Sequence, residues 1–132
     1  MYYVIGAVVL VLVLFAFLQQ GENRGRKPRR VGVDVINDTL NKAEGARMAG
    51  KLEDAQYYFS MAERYARDSG IAVLVAESYY GLAKVQEDRK LYREAAHMVD
   101  LAIRAVEPVR ADFGPYYSLL KRYHEELSAK FS

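Results

Sequence analysis

From residue 34 to residue 132 the apolar side chains recur at helical spacing, without the alternation that is typical of a β-strand. We therefore predict five helices, with the fifth starting at Pro115. The other four are predicted over residues 34–49, 52–68, 71–88 and 91–107. Because short turns between consecutive helices force antiparallel hairpins, the predicted fold class is all-α.

The turns after the first and third predicted helices have similar sequences. Gly50-Lys51-Leu52-Glu53-Asp54-Ala55 and Arg89-Lys90-Leu91-Tyr92-Arg93-Glu94-Ala95 each place a large apolar or aromatic residue shortly before an acidic residue and an alanine. The two alanines lie 40 residues apart. A fixed spacing of this kind is the signature of a structural repeat.

This pattern resembles the tetratricopeptide repeat (TPR) family, which needs small residues where its two helices cross and large ones beside them. The second unit fits it at six positions: Tyr79, Leu82, Ala83, Ala95, Val99 and Ala102. The first unit fits it at four positions: Ala43, Ala55, Phe59 and Ala62. Thr39 and Lys42 depart from the pattern. The resemblance implies a TPR-like stack of antiparallel helical hairpins.

In that family the first helix of each repeat lines a concave groove that receives a peptide or a helix. By register, the resemblance implies a partner-binding groove made of the following residues: Asn37, Asn41, Glu44, Arg47, Met48, Glu77, Tyr80, Lys84, Tyr117, Lys121 and His124. The expected function is a membrane-tethered module for protein–protein interaction or scaffolding. Its expected partners are other proteins, such as membrane proteins or membrane-associated segments.

The membrane part of this expectation comes from the start of the chain. Tyr2 to Leu18 carries no charge, and a helix of 17 residues spans about 26 Å at 1.5 Å per residue. We therefore predict a single transmembrane anchor over residues 1–20. A cleaved signal peptide fits less well, because no basic residue precedes the apolar run and no small-residue cleavage site follows it.

Residues 21–33 are predicted to form a flexible linker, and five basic side chains cluster in it: Arg24, Arg26, Lys27, Arg29 and Arg30. The positive-inside rule then places the amino terminus outside and the carboxy-terminal domain, residues 34–132, in the cytoplasm. The same cluster can bind anionic lipid headgroups. From Val31 onward there are 14 basic and 16 acidic residues, so we expect no nucleic-acid partner for the domain.

No pattern of catalytic or metal-binding residues emerges. The chain has no cysteine, and its two histidines, His97 and His124, fall on different predicted helices. No glycine pattern suited to phosphate binding is present. We therefore expect no enzyme activity, cofactor, metal or small-molecule substrate. The alternative function is an accessory or assembly subunit of a larger membrane complex, held through the predicted transmembrane helix.

Overall fold

The computed structural model describes residues 31–131, which fold into α-helices joined by short turns. The five helices are α1 (Val33–Met48), α2 (Leu52–Ser69), α3 (Ala72–Asp88), α4 (Tyr92–Val106) and α5 (Gly114–Ser128). A short 3-10 helix, Glu107–Val109, follows α4. No β-strand occurs in this part of the chain, so the described fold is all-α.

The predicted fold class also contained a transmembrane helix, and that part is wrong for the described structure. Between residues 31 and 131 no helix is both long enough and apolar enough to cross a membrane. The reason is that each helix carries charged side chains on its exposed face. The anchor over residues 1–20 and most of the linker, with its five basic residues, lie outside the described residues. The orientation, the localisation and the lipid contact that depend on them stay predictions.

The two turns with similar sequences have the same backbone geometry. After α1, the Lys51 N–H donates to the Ala46 carbonyl at 2.9 Å; after α3, the Leu91 N–H donates to the Gln86 carbonyl at 2.9 Å. Gly50 has φ 80°, and Lys90, at the matching place, has φ 63°. Glycine adopts this left-handed conformation without strain, whereas lysine does not. The described domain is thus consistent with a helical repeat of 40 residues.

The apolar residues between 71 and 88 cover a wide arc of the predicted helix, which predicts contacts on several sides, and α3 is indeed the centre of the domain. It packs against α1, α2 and α4, while α4 also packs against α5. Gly81 on α3 gives the Phe59 ring of α2 the room to pack against the helix, since a Cβ at Gly81 would overlap the ring. This close approach holds the first hairpin onto the second.

The predicted apolar stripes are largely buried. Ala55, Phe59, Ala62 and Ala66 of α2 are all buried, as are the corresponding residues of α4 from Ala95 to Val106. Leu91 departs from the prediction, with an exposed fraction of 43%. It lies at the N-cap position, just before the first turn of α4.

Candidate functional site

Polar and aromatic side chains from α1, α3 and α5 meet on one side of the domain. We call this surface the polar face and define it by Glu44, Arg47, Lys84, Glu87 and Tyr123. The first two lie on α1, the next two on α3 and the last on α5. Helical register explains their meeting, because Glu44 and Arg47 are one turn apart, as are Lys84 and Glu87.

Arg47 ties α1 to the end of α3. Its guanidinium contacts Glu44 at 2.6 Å and Asp88 at 3.0 Å, and its side chain is 9% exposed. Burial by itself lowers the pKa of Arg47, but the hydrogen bonds and negative charges of Glu44 and Asp88 raise it above the usual range. The arginine is therefore a fixed cation with its carboxylate partners already in place.

Lys84 is the cation of the polar face that has no such partner. Its ammonium lies 4.5 Å from the centre of the Tyr80 ring, a cation–π distance. Between residues 31 and 131 no carboxylate lies within 4.0 Å of it. Burial lowers the pKa of Lys84, and the charge of Glu44 opposes this effect. A half-buried ammonium without a counter-ion favours the approach of an acidic group.

Three tyrosine rings form the floor beneath these charges. The Tyr80 ring meets Tyr116 edge to face at 6.4 Å and Tyr123 edge to face at 5.5 Å. Such perpendicular contacts are favourable geometries for aromatic pairs. Burial and the charge of Glu77 raise the pKa of Tyr80 above its usual range, so the phenol stays neutral. The aromatic floor joins α3 to α5.

Glu87 fixes the far end of α5 to α3. It accepts a hydrogen bond from the Tyr123 hydroxyl at 2.6 Å and an ionic contact from Lys130 at 3.2 Å. The Lys130 ammonium also lies 5.0 Å from the centre of the Tyr92 ring. Burial and the hydrogen bond to Glu87 raise the pKa of Tyr123. The Glu87 carboxylate is therefore committed to holding the helices together.

Glu77 lies deeper, below the polar face. It is 6% exposed, and its Oε1 has no hydrogen-bond partner among residues 31–131. Burial raises the pKa of Glu77 to about 7, although the Tyr116 hydroxyl and the Lys84 charge lower it. Loss of hydration disfavours the ionised form of a buried carboxyl, which explains the direction of the shift.

The structure brings together five of the residues that the sequence assigns to a groove. These are Glu44, Arg47, Glu77, Tyr80 and Lys84. Glu77 and Tyr80 are buried, so they form the floor and are not presented at the surface. They are covered because α5 packs its own tyrosines over this part of α3.

The other predicted groove residues lie around this cluster. On α1, Asn37 is half-buried, Asn41 is exposed and the Met48 side chain is 68% exposed. On α5, the Lys121 ammonium lies 5.5 Å from the centre of the Tyr117 ring, and His124 is half-buried.

Four contributors to the site were missed from the sequence, namely Glu87, Asp88, Tyr116 and Tyr123. The sequence indicates Tyr116 and Tyr123 only as apolar positions of the fifth helix, and Asp88 only as part of a turn. A usable signal existed: Tyr116 and Tyr123 are seven residues apart, so they share one helix face. Their hydroxyls needed polar partners on the neighbouring helix.

The polar face carries charged and aromatic side chains, and no cluster of metal ligands accompanies them among residues 31–131. No group of three or more histidine, cysteine, aspartate or glutamate side chains in the described part of the chain could hold a metal ion. His97 is exposed on α4, away from the half-buried His124 on α5. The polar face combines paired charges, aromatic rings and the Lys84 ammonium, which has no ion pair within residues 31–131.

Comparison with known proteins gives no assignment. No protein-family model, no curated protein and no solved structure matches this chain significantly.

Proposed function

We propose that the helical domain is a TPR-like module for protein–protein interaction and that the polar face receives a helix or an extended segment of a partner protein. The observation that carries this proposal is the half-buried Lys84 ammonium, which has no carboxylate within 4.0 Å among residues 31–131. In this proposal the protein binds a partner and does not catalyse a reaction.

The expected partner segment carries an acidic side chain. Arg47 and Glu87 already have intramolecular partners, so Lys84 is the group on the polar face whose charge a partner can complement. The exposed rim around it supplies amide groups at Asn41 and an apolar contact at Met48. A partner segment with an acidic side chain opposite Lys84 and apolar residues beside it complements this arrangement of charged, amide and apolar groups.

The test is co-purification with charge-reversal variants of the full chain. Lys84→Glu introduces repulsion at the proposed contact, whereas Arg64→Glu makes the same charge change at an exposed position on α2. Proteins retained in mild detergent are identified by mass spectrometry, and the affinity of the purified partner is then measured. We expect Lys84→Glu to weaken binding at least tenfold and Arg64→Glu to leave it unchanged.

Equal losses for the two variants would contradict a specific role of the polar face. Retention of the partner by both variants would place the interaction elsewhere on the chain. Recovery of a fixed stoichiometric assembly that neither variant disturbs would favour the alternative, an accessory or assembly subunit of a larger complex.

A further inference from the structure

Two buried oxygen atoms face each other at the junction of α3 and α5, and within residues 31–131 neither has a hydrogen bond of good geometry. Across residues 31–131, the buried side-chain atoms in this condition are Glu77 Oε1 and the Tyr116 hydroxyl. Each group influences the pKa of the other, so the two lie close together. Unsatisfied buried polar groups are rare and costly, and two that meet between two helices require an explanation.

The surroundings of Glu77 do not neutralise a negative charge. Lys84 on its own helix favours the ionised form, but its ammonium does not form an ion pair with Glu77. Glu44 of α1 disfavours ionisation, whereas the Tyr116 hydroxyl of α5 favours it. Ionisation therefore creates a buried charge that no ion pair within residues 31–131 compensates.

The remaining helices that pack on α3 add no counter-charge. The buried acid of α2, Glu63, is paired with Arg67 and with the Tyr79 hydroxyl. The residues that α4 buries are alanines and valines. Burial and the charge of Glu77 raise the pKa of Tyr116, so the phenol stays neutral and adds no charge of its own.

The side chains that pack on α3 beside the Glu77 carboxyl belong to α5. Tyr116 and Tyr123 pack on the Tyr80 ring, and Glu87 holds Tyr123 and Lys130. Helix α5 follows a short 3-10 helix and a turn, and its backbone contacts are chiefly with α4. A change at Glu77 therefore acts first on the docking of α5 against α3.

We propose that the α3–α5 contact is a proton-controlled joint: α5 docks fully when the Glu77 carboxyl is protonated, and ionisation of Glu77 loosens α5 and disrupts the polar face. This inference rests on the proposed function, because it adds a regulator to the same face. Protonation keeps the aromatic floor closed beneath Lys84, and the partner then meets a complete surface. The pKa of Glu77, raised to about 7 by burial, puts the transition near neutral pH.

The joint can be tested without any partner, by measuring distances between spin labels in the full chain. The sequence contains no cysteine, so labels can be attached at chosen positions alone. A pair at Lys42→Cys and Ser118→Cys reports the distance from α1 to α5. A control pair at Lys42→Cys and His97→Cys reports the distance from α1 to α4. All three positions are exposed.

We expect the α1–α5 distances to form a narrow distribution at pH 5.5 and a broader, longer one at pH 8.5, with a midpoint near pH 7. The α1–α4 distances are expected to stay constant. Glu77→Gln, which cannot ionise, is expected to keep the narrow distribution at both pH values. Glu63→Gln serves as the matched control and is expected to retain the response.

Tyr116→Phe provides a second variant that keeps the ring. Since the Tyr116 hydroxyl lowers the pKa of Glu77, its removal is expected to move the midpoint to higher pH. An unchanged α1–α5 distribution in the native sequence would overturn the proposal, as would a persistent response in Glu77→Gln. Because no partner enters this experiment, its failure is distinguishable from a failure of the proposed function.

Discussion

Gly81 offers a direct test of how the two hairpins are held together. An added Cβ at this position would lie less than 3.0 Å from three atoms of the Phe59 ring. Carbon atoms in contact normally sit about 3.5–4.0 Å apart, so Gly81→Ala must displace the ring or separate α2 from α3. Phe59 is 3% exposed and has no free space to move into solvent.

The size of the effect follows from two opposing contributions. Overpacking of a core costs about 1–3 kcal/mol, whereas replacing glycine by alanine inside a helix gains about 1 kcal/mol. We therefore expect Gly81→Ala to lower the free energy of unfolding by up to about 2 kcal/mol. Gly45→Ala is the matched control, because Gly45 also lies in a helix and a Cβ there meets nothing within 4 Å.

Urea unfolding of the full chain, followed by circular dichroism, measures both variants. We expect Gly45→Ala to be neutral or to stabilise by up to about 1 kcal/mol. In a Phe59→Leu background, Gly81→Ala should cost less than it does in the native sequence, because the smaller side chain leaves space. A Gly81→Ala variant as stable as Gly45→Ala would refute this account of the α2–α3 contact.

Three further predictions concern the polar face and the turns. The pKa of Glu77 is about 7 in the folded chain, whereas its ordinary value is 4.5. Protonation of Glu77 therefore favours the folded state, and the stability that this protonation contributes is lost as pH rises through 7. Between pH 5 and 8 the native chain should therefore lose about 3 kcal/mol relative to Glu77→Gln in urea unfolding, at about 1.4 kcal/mol per pKa unit; parallel pH profiles would contradict this. In the repeated turns, Gly50→Ala should cost about 1 kcal/mol and Lys90→Gly should stabilise by up to about 1 kcal/mol, as measured by thermal unfolding. Arg47→Met keeps an apolar stem but loses the contacts to Glu44 and Asp88, so it should lower the free energy of unfolding by about 2 kcal/mol; an unchanged urea midpoint would show that the contacts contribute nothing.

The helices of the described domain were predictable because their apolar spacing is regular. The sequence pattern places Ala55, Phe59 and Ala62 on one face of α2, and all three are buried in the structure. The stop signals were also local: Gly50 and Gly70 both have positive φ, which few other residues adopt. Lys90 carries no such signal, and its turn was recognisable through its similarity to the turn around Gly50.

The site was harder to predict because it depends on how the helices pack. Register identified Glu44, Arg47 and Lys84, yet it placed Glu77 and Tyr80 at the surface. Both are buried because α5 packs back over α3, and no short-range pattern encodes that contact. The wide apolar arc of α3 was the available hint, since polar residues on a helix contacted from all sides become enclosed.

The predicted transmembrane anchor illustrates a different limit. The prediction of this anchor depends only on the apolar composition of residues 1–20, which lie outside the described residues. The helices within residues 31–131 are amphipathic, and none of them is long and apolar enough to cross a membrane. Their charged faces supply the ionic contacts that define the polar face.

Site-specific photo-crosslinking tests the central proposal, partner binding at the polar face, most directly. A photoreactive residue replaces Asn41 on the exposed rim of the polar face in one full-length variant. In the control it replaces Tyr57, which is 62% exposed on α2. We expect one protein to be crosslinked from Asn41 and not from Tyr57, and the product to disappear when Lys84→Glu is added. Equal crosslinking from both positions, or a product that persists with Lys84→Glu, would contradict the proposal.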